Sequence, residues 1–352
     1  MSSILKNSDQ LYNKKVKADE KIKILESINF NEFTNLNELE DYKIKLCSYI
    51  LSATGDKDIN VQNKAIETMN TIVDTINPYL IKSLMSELID GIADNKNSNV
   101  KLNTLKLIKR LSQTTYFKQS IPVIIDPLSY CLSDTNNDVS TFSYDLYKNL
   151  IELVDNKDIL PLIPHLLDGL SHPSHLPKTI DAITSTTFVQ VVDTLTLSAI
   201  VPLLMRTFKT ATYAVKRQTI VIIENMTKLV QDERSALVFV NKLLPFMIDA
   251  QEYIADPEVR SVAERVYKHL IKIQTNGKEQ EEIYHKHLSH IKSFLLDTST
   301  IQSEIIHTMY DTNTMTNDNL VKYLNLSQEN AQNIVNEFNS NTESQTEETL
   351  SS

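Results

Sequence analysis

The chain has 352 residues, 41% of them hydrophobic, with four glycines, no tryptophan, two cysteines and a net charge of −10 at pH 7. That apolar content suffices for a continuous core, while the acidic balance argues against general coating of nucleic acid but leaves room for a local basic patch. The glycines, Gly55, Gly91, Gly169 and Gly277, are too dispersed to form G-x-x-x-x-G-K-[ST] or G-x-G-x-x-G, so no phosphate-cradling loop can be built from them.

Residues 1–34 are polar and lysine-rich, with a helix predicted from about 8 to 28 as an N-terminal helix or cap. The first ten residues lack a signal-peptide apolar core and no run of 18 uncharged apolar residues follows, so a soluble, cytoplasmic protein is expected. From 35 to 275 the chain repeats itself. Val61, Val100, Val139, Val215 and Val259 share one context: a short polar link, as in Asp58-Ile-Asn-Val61 or Asn136-Asn-Asp-Val139, and then an apolar helix. The gaps between them are 39, 39, 76 and 44 residues, the third being twice 38. Positions 7 and 11 residues further on return to the same helix face, namely Thr68 and Ile72, Leu107 and Leu111, Leu146 and Leu150, Ile222 and Met226, Val266 and Leu270. A second apolar helix precedes the valine link, and Pro127, Pro164, Pro202 and Pro245 stand near its middle or start, where proline kinks a helix. A helix pair of about 40 residues with an Asp or Asn turn is the HEAT pattern. The predicted fold class is all-α, a HEAT-repeat superhelical solenoid with a short C-terminal helical extension, which adds core one repeat at a time. Cys47 and Cys131 lie about two repeats apart in apolar helices and read as buried, reduced thiols.

Within the array, Arg206, Lys209, Lys216, Arg217 and Lys228 form a basic segment opposed only by Glu224, and these five are the candidate contact residues. Two readings are open: a structural role or plain solvation, since Lys216 and Arg217 directly follow a repeat valine, or contact with an anionic partner such as rRNA. At Thr275-Asn-Gly-Lys-Glu-Gln280 glycine and polar residues predict a break. The extension, 276–340, then reads as helices at 283–296, 301–310, 318–324 and 327–338, with Thr316 and Ser327 as helix starts. The last stretch, 341–352, is Ser, Thr and Glu and is expected to be disordered.

Chemistry is sparse. His285, His287 and His290 do not share one helix face, and His172 and His175 fall in an inter-helix turn, so both groups read as solvated polar residues rather than metal ligands. The sequons at Asn225 and Asn325 read as accidental matches in a cytosolic helical chain. No motif histidine accompanies either cysteine. No catalytic, metal or cofactor residue is expected, and the chain is expected not to be an enzyme.

A more specific reading comes from a series of blocks in order: Asp155-Asn-Lys-Asp-Ile159, Thr186-Thr-Phe-Val189, Thr194-Leu-Thr-Leu-Ser-Ala-Ile-Val-Pro-Leu-Leu204, Val215-Lys-Arg-Gln-Thr-Ile-Val-Ile-Ile-Glu-Asn-Met-Thr-Lys-Leu-Val230 and Ile254-Ala-Asp-Pro-Glu-Val-Arg260. Upstream, Gly55-Asp-Lys-Asp58, Ile76-Asn-Pro78 and Ile81-Lys-Ser-Leu84 extend the series. The series resembles the N-terminal HEAT domain of the translation elongation factor 3 family, the fungal-type ribosome-bound ATPases. It is more loosely similar to the HEAT segment of the giant starvation-signalling translational activator. In that family the HEAT domain contacts the small ribosomal subunit, and separate ATP-binding cassettes carry phosphate loops that this sequence lacks. The resemblance therefore implies a non-catalytic ribosome-binding translation factor or regulator whose partners are rRNA and ribosomal proteins, with Lys216 and Arg217 matching a Lys-Arg pair of the family. The alternative is a general protein-binding scaffold of the transport-receptor or phosphatase-scaffold type, using the concave face of the array. Neither reading involves a membrane or a small-molecule substrate.

Overall fold

The computed structural model describes residues 7–93, 97–295 and 299–351, and among them the regular elements are all helical. The N-terminal segment holds α1 (Ala18–Glu26). Helix pairs follow: α2 (Leu36–Ala53) with α3 (Ile59–Thr75), α4 (Met85–Ala93) with α5 (Ser98–Leu111), and α6 (Ile121–Cys131) with α7 (Asn137–Glu152). Next come α8 (Ile163–Ser171) with α9 (Leu176–Thr184), α10 (Thr194–Thr210) with α11 (Tyr213–Thr227), and α12 (Glu233–Tyr253) with α13 (Pro257–Lys292). The last three are α14 (Thr300–Asp311), α15 (Asn317–Leu324) and α16 (Gln328–Ser351). The fold class is the all-α HEAT-repeat solenoid. Two compact units divide the chain, residues 1–117 with 283–352, and residues 118–282.

The repeat register holds at the level of side chains. All five valines and all ten positions 7 and 11 residues after them are buried. Four of their helices start where a side-chain oxygen replaces the missing intrahelical acceptor: Asp58 accepts from the Asn60 amide at 2.8 Å, Asn97 from Asn99 at 3.0 Å, Asn136 from Asp138 at 3.0 Å and Asp256 from Glu258 at 2.9 Å, whereas Thr212 makes no such bond before Val215. The residue four positions after each valine is small and buried: Ala65, Thr104, Ser143, Thr219 and Ala263. At Thr104 the reason is visible, because a Cβ on Gly91 of the paired helix would lie 2.5 Å from the threonine hydroxyl. The hydroxyls of Thr104 and Thr219 return to their own helices, to the Val100 and Val215 carbonyls at 2.7 and 2.8 Å, so burying them leaves no unmet donor. The pair α8/α9 fills the doubled gap. Its α9 has no such valine and instead buries Leu176, its first residue, together with the small Thr179.

In the first unit the expected helix at 8–28 is split. A 3₁₀ turn at Asp9–Tyr12 gives way to a link in which Asn13 Oδ1 accepts the Lys15 amide, and α1 starts only at Ala18; residues 1–6 lie outside those described. Leu11 and Leu25 are buried, and the Lys21 ammonium sits 2.6 Å from the Asp56 carboxylate in the α2–α3 turn, which docks the segment on the first repeat. Between α2 and α3 a buried Glu40–Lys43 pair, 2.8 Å, is fully used. Lys43 also donates to the Thr75 carbonyl, and Glu40 accepts the Asn77 amide, so neither charge is left uncompensated. The late helices belong to this unit too. α14 packs on α2 and on the 3₁₀ stretch Pro78–Leu84, and Tyr323 of α15 meets Tyr79 edge-on at 5.1 Å. A strictly linear array would join only neighbours in sequence.

In the second unit Pro127, Pro202 and Pro245 lie inside α6, α10 and α12, whereas Pro164 occupies the first turn of α8, where no amide is needed. Cys47, in the first unit, and Cys131, in the second, are buried and form no disulfide.

The predicted break at 275–280 is absent, because α13 runs through it from Pro257 to Lys292. Gly277 has a different task. A Cβ there would lie 2.6 Å from the Glu233 carbonyl oxygen and 2.9 Å from Leu237 Cδ2, so the glycine lets α13 touch the first turn of α12. Beyond α13, Thr316 and Ser327 do accept the Asn319 and Asn330 amides at helix starts. α16 carries helix to Ser351, through the polar stretch expected to be disordered, consistent with the good helix propensity of its glutamates and glutamines. Leu296 and Ser352, the ends of two expected segments, lie outside the described residues. No described helix is long and apolar enough to cross a membrane.

Candidate partner-contact surface

The five basic candidates sit on α10 and α11 and at the C-cap of α11, within the second unit. They do not form one patch. Arg206 turns into the fold: its guanidinium donates to the Leu170 carbonyl at 2.6 Å and to Ser129 Oγ at 3.1 Å, and lies 4.7 Å from the centre of the Tyr130 ring. It thereby ties α10 to α8 and α6, and burial holds its pKa below the ordinary arginine value. Arg217 pairs with Glu258 at the start of α13. Lys228 reaches Glu224 at 3.0 Å, but Glu224 already takes two bonds from Arg265 of α13, at 2.8 and 2.9 Å. The Arg265 bonds, with Lys228 assisting, hold this buried carboxyl down at about 2. Lys216 is half-buried over the Tyr213 ring and Lys209 is exposed near the end of α10, a favourable place for a cation beside a helix C-terminus.

These pairings belong to a stitch between successive second helices. Gln218 donates to Asp181 at 2.7 Å across α9–α11, while Arg217–Glu258 and Glu224–Arg265 cross α11–α13. In the first unit Arg110–Asp74 joins α3 and α5 in the same way. The structural reading of Arg206, Arg217 and Lys228 thus has physical partners, and Lys209 and Lys216 are the two candidates that no carboxylate neutralises among the described residues.

A second surface feature escaped the charge-based reading. The loop between α9 and α10 is pinned from below. The Asp158 carboxylate accepts the amides of Val189 and Gln190, both at 2.8 Å, and buried Asn156 donates to the Val191 carbonyl at 3.3 Å and to Thr196 Oγ1 at 3.1 Å. The Val192 amide donates to the Leu229 carbonyl at 3.0 Å. Asp155, just before, takes the left-handed conformation at φ 55° that turns the chain into this clamp. Two sequence blocks 31 residues apart, 155–159 and 186–189, are therefore parts of one structure. With its backbone fixed, the loop exposes Val189 (69%) and Val191 (48%), and Tyr213 at the start of α11 and Tyr253 at the end of α12 are exposed too. Apolar side chains held outward on a rigid loop suit contact with another macromolecule. The signal available in the sequence was the run of β-branched residues bounded by polar ones in an otherwise helical stretch.

Two family models match the chain: the EF3 N-terminal HEAT repeat over residues 2–146 and the Elongation factor 3/GNC1 HEAT repeat over 174–281. Elongation factor 3 of Mycosarcoma maydis is 36% identical over 224 residues, which is 63% of this chain and 21% of that protein. Elongation factor 3A of Saccharomyces cerevisiae is 34% identical over 243 residues, 68% of this chain and 23% of that protein. The chain thus spans less than a quarter of the length of these relatives. Among solved structures, the archaeal HEAT-like repeats protein from Thermococcus onnurineus NA1 overlays 74% of this chain and all of its own at 11% identity, with a TM-score of 0.27, a likeness too slight to argue from.

Proposed function

This chain belongs to the elongation factor 3 HEAT-repeat family, and from that premise we propose that it is a non-catalytic, cytoplasmic translation factor or regulator that docks on the ribosome. The observation that carries the proposal is the clamped loop. Asn156 and Asp158 commit a buried amide and a carboxylate to holding a loop that buries Val192 but leaves Val189 and Val191 outside the core, and both lie in a block that carries the family likeness. We assign Val189 and Val191 to contact with a protein component of the small subunit. A second contact, with rRNA phosphate, rests on Lys209 and Lys216, the candidates without an acidic partner.

Co-sedimentation of the full chain with ribosomes separates the two contacts. We expect Val189→Asp with Val191→Asp to reduce pelleting at least several-fold with an unchanged circular-dichroism melt. Lys209→Glu with Lys216→Glu should flatten the salt dependence of binding, since each phosphate contact releases counterions. Wild-type protein that fails to pellet at low salt would overturn the ribosome reading in favour of the general scaffold. Binding that neither pair of changes affects would move the contact off this face.

A further inference from the structure

We propose that Asp168, His172 and His175 form a surface site for one divalent transition-metal ion. Asp168 lies on α8, His172 just past its end, and His175 closes the 3₁₀ turn Pro173–His175 that leads into α9. Their side chains converge. His175 Nδ1 lies 2.9 and 3.0 Å from the two Asp168 oxygens, His172 Nδ1 lies 3.3 Å from Oδ1, and one ligand atom from each of the three falls within 4.8 Å of the others. Around a tetrahedral ion with bonds of about 2.0–2.2 Å, donor atoms stand roughly 3.4 Å apart. The two Asp168–His separations need to widen by only a few tenths of an ångström to admit the ion, and the two imidazole donors already lie within 4.8 Å of each other.

The backbone beneath is well tied. The His172 amide donates to the Asp168 carbonyl at 2.9 Å, the His175 amide to the His172 carbonyl at 2.8 Å, and Pro173 fixes one torsion between them. Thr179 of α9 donates to the His165 carbonyl at 3.1 Å, holding the two helices together below the site. The side chains are 41%, 61% and 49% exposed for Asp168, His172 and His175, so an ion can enter and keep an open position for water or a donor from another molecule. Two nitrogens and one oxygen select Zn²⁺, Co²⁺, Ni²⁺ or Cu²⁺ over Mg²⁺ or Ca²⁺.

Zn²⁺ and Co²⁺ titrations of the full chain test the assignment, by calorimetry for stoichiometry and by Co²⁺ visible absorption for coordination. We expect saturation at one equivalent, a Zn²⁺-dependent rise in melting temperature, and loss of all three signals in the His172→Gln, His175→Gln double variant. Asp168→Asn should weaken binding by about tenfold or more. His165→Gln, one turn earlier on α8, should leave binding intact and shows that removing an imidazole from this helix is harmless in itself. The proposal is overturned if the double variant binds as wild type does, or if the wild type shows no saturable binding below about 1 mM, in which case the cluster is an ordinary surface ion pair.

Discussion

Gly277→Ala separates two meanings of a glycine in a helical sequence. If Gly277 were an ordinary uncrowded position inside a helix, alanine would stabilise the protein by the propensity difference of about 0.8–1 kcal/mol. The structure puts the residue in the interior of α13 with the Glu233 carbonyl oxygen 2.6 Å from the position of an added Cβ. That neighbour is backbone and cannot swing aside. The helices must part instead, and the bonds that straddle the contact stretch with them: Asn276 to Glu233 at 3.2 Å, the Arg234 amide to Gln280 at 3.0 Å, and Gln274 to Asn241 at 2.6 Å. Overpacking costs about 1–3 kcal/mol, and a backbone obstacle that cannot swing aside puts this site in the upper half, about 2–3 kcal/mol, so subtracting the propensity gain leaves a net loss of roughly 1–2 kcal/mol. For a unit of this size that is a fall of about 2–8 °C in melting temperature, read by circular dichroism and checked by urea denaturation. Leu237→Ala should not rescue it, since the closer obstacle is the carbonyl. An unchanged or higher melting temperature for Gly277→Ala would refute the close-contact reasoning.

Glu224→Gln removes a carboxylate held by Arg265 and Lys228. A shift from about 4.3 unfolded to about 2 folded is worth at most about 3 kcal/mol, nearer 1–2 once the exposure of both cations is allowed for. Because the folded pKa is depressed, this stability is present in full above about pH 4.3 and disappears as pH falls toward 2. Wild type and variant should differ in urea at pH 7 and converge near pH 2.5; a constant difference across that window would contradict the assignment. Leu150, fully buried, lies in the repeat seam, and Leu150→Asp should cost on the order of 4 kcal/mol. The loss should spread to adjoining repeats, so a melt within a degree or two of wild type would refute the register.

The helix pairs were readable because valines recurring at gaps of 39, 39, 76 and 44 residues, with their partners 7 and 11 later, are all one-sided requirements of a buried face. The small residue four after each valine was equally present in the sequence, but its meaning depends on the helix that crosses it, as Gly91 does at Thr104. Charge proved the least legible property. Arg206, Arg217 and Lys228 look alike in sequence, yet one is turned inward by a carbonyl 36 residues away and two are neutralised by acids on their own or the next repeat. A local excess of lysine and arginine counts residues, whereas a partner surface depends on which of them the tertiary fold has left unanswered. The Asp158 clamp on residues 189 and 190 was hidden for the same reason, since only the folded chain brings a carboxylate under two exposed amides.

The packing of α14 and α15 on Pro78–Leu84 sets a timetable for synthesis. The stretch ending at Leu84 is made 216 residues before Thr300, an interval of roughly 10 to 40 s at ordinary elongation rates. Throughout that interval the nascent chain carries Tyr79 without the Tyr323 ring that later caps it, and the 78–84 stretch without the helix that covers it. The repeats made first are therefore completed last. A ribosome that stalls in the middle of this message holds out an unfinished apolar surface for chaperones to shield, whereas one that stalls after α15 has emerged does not.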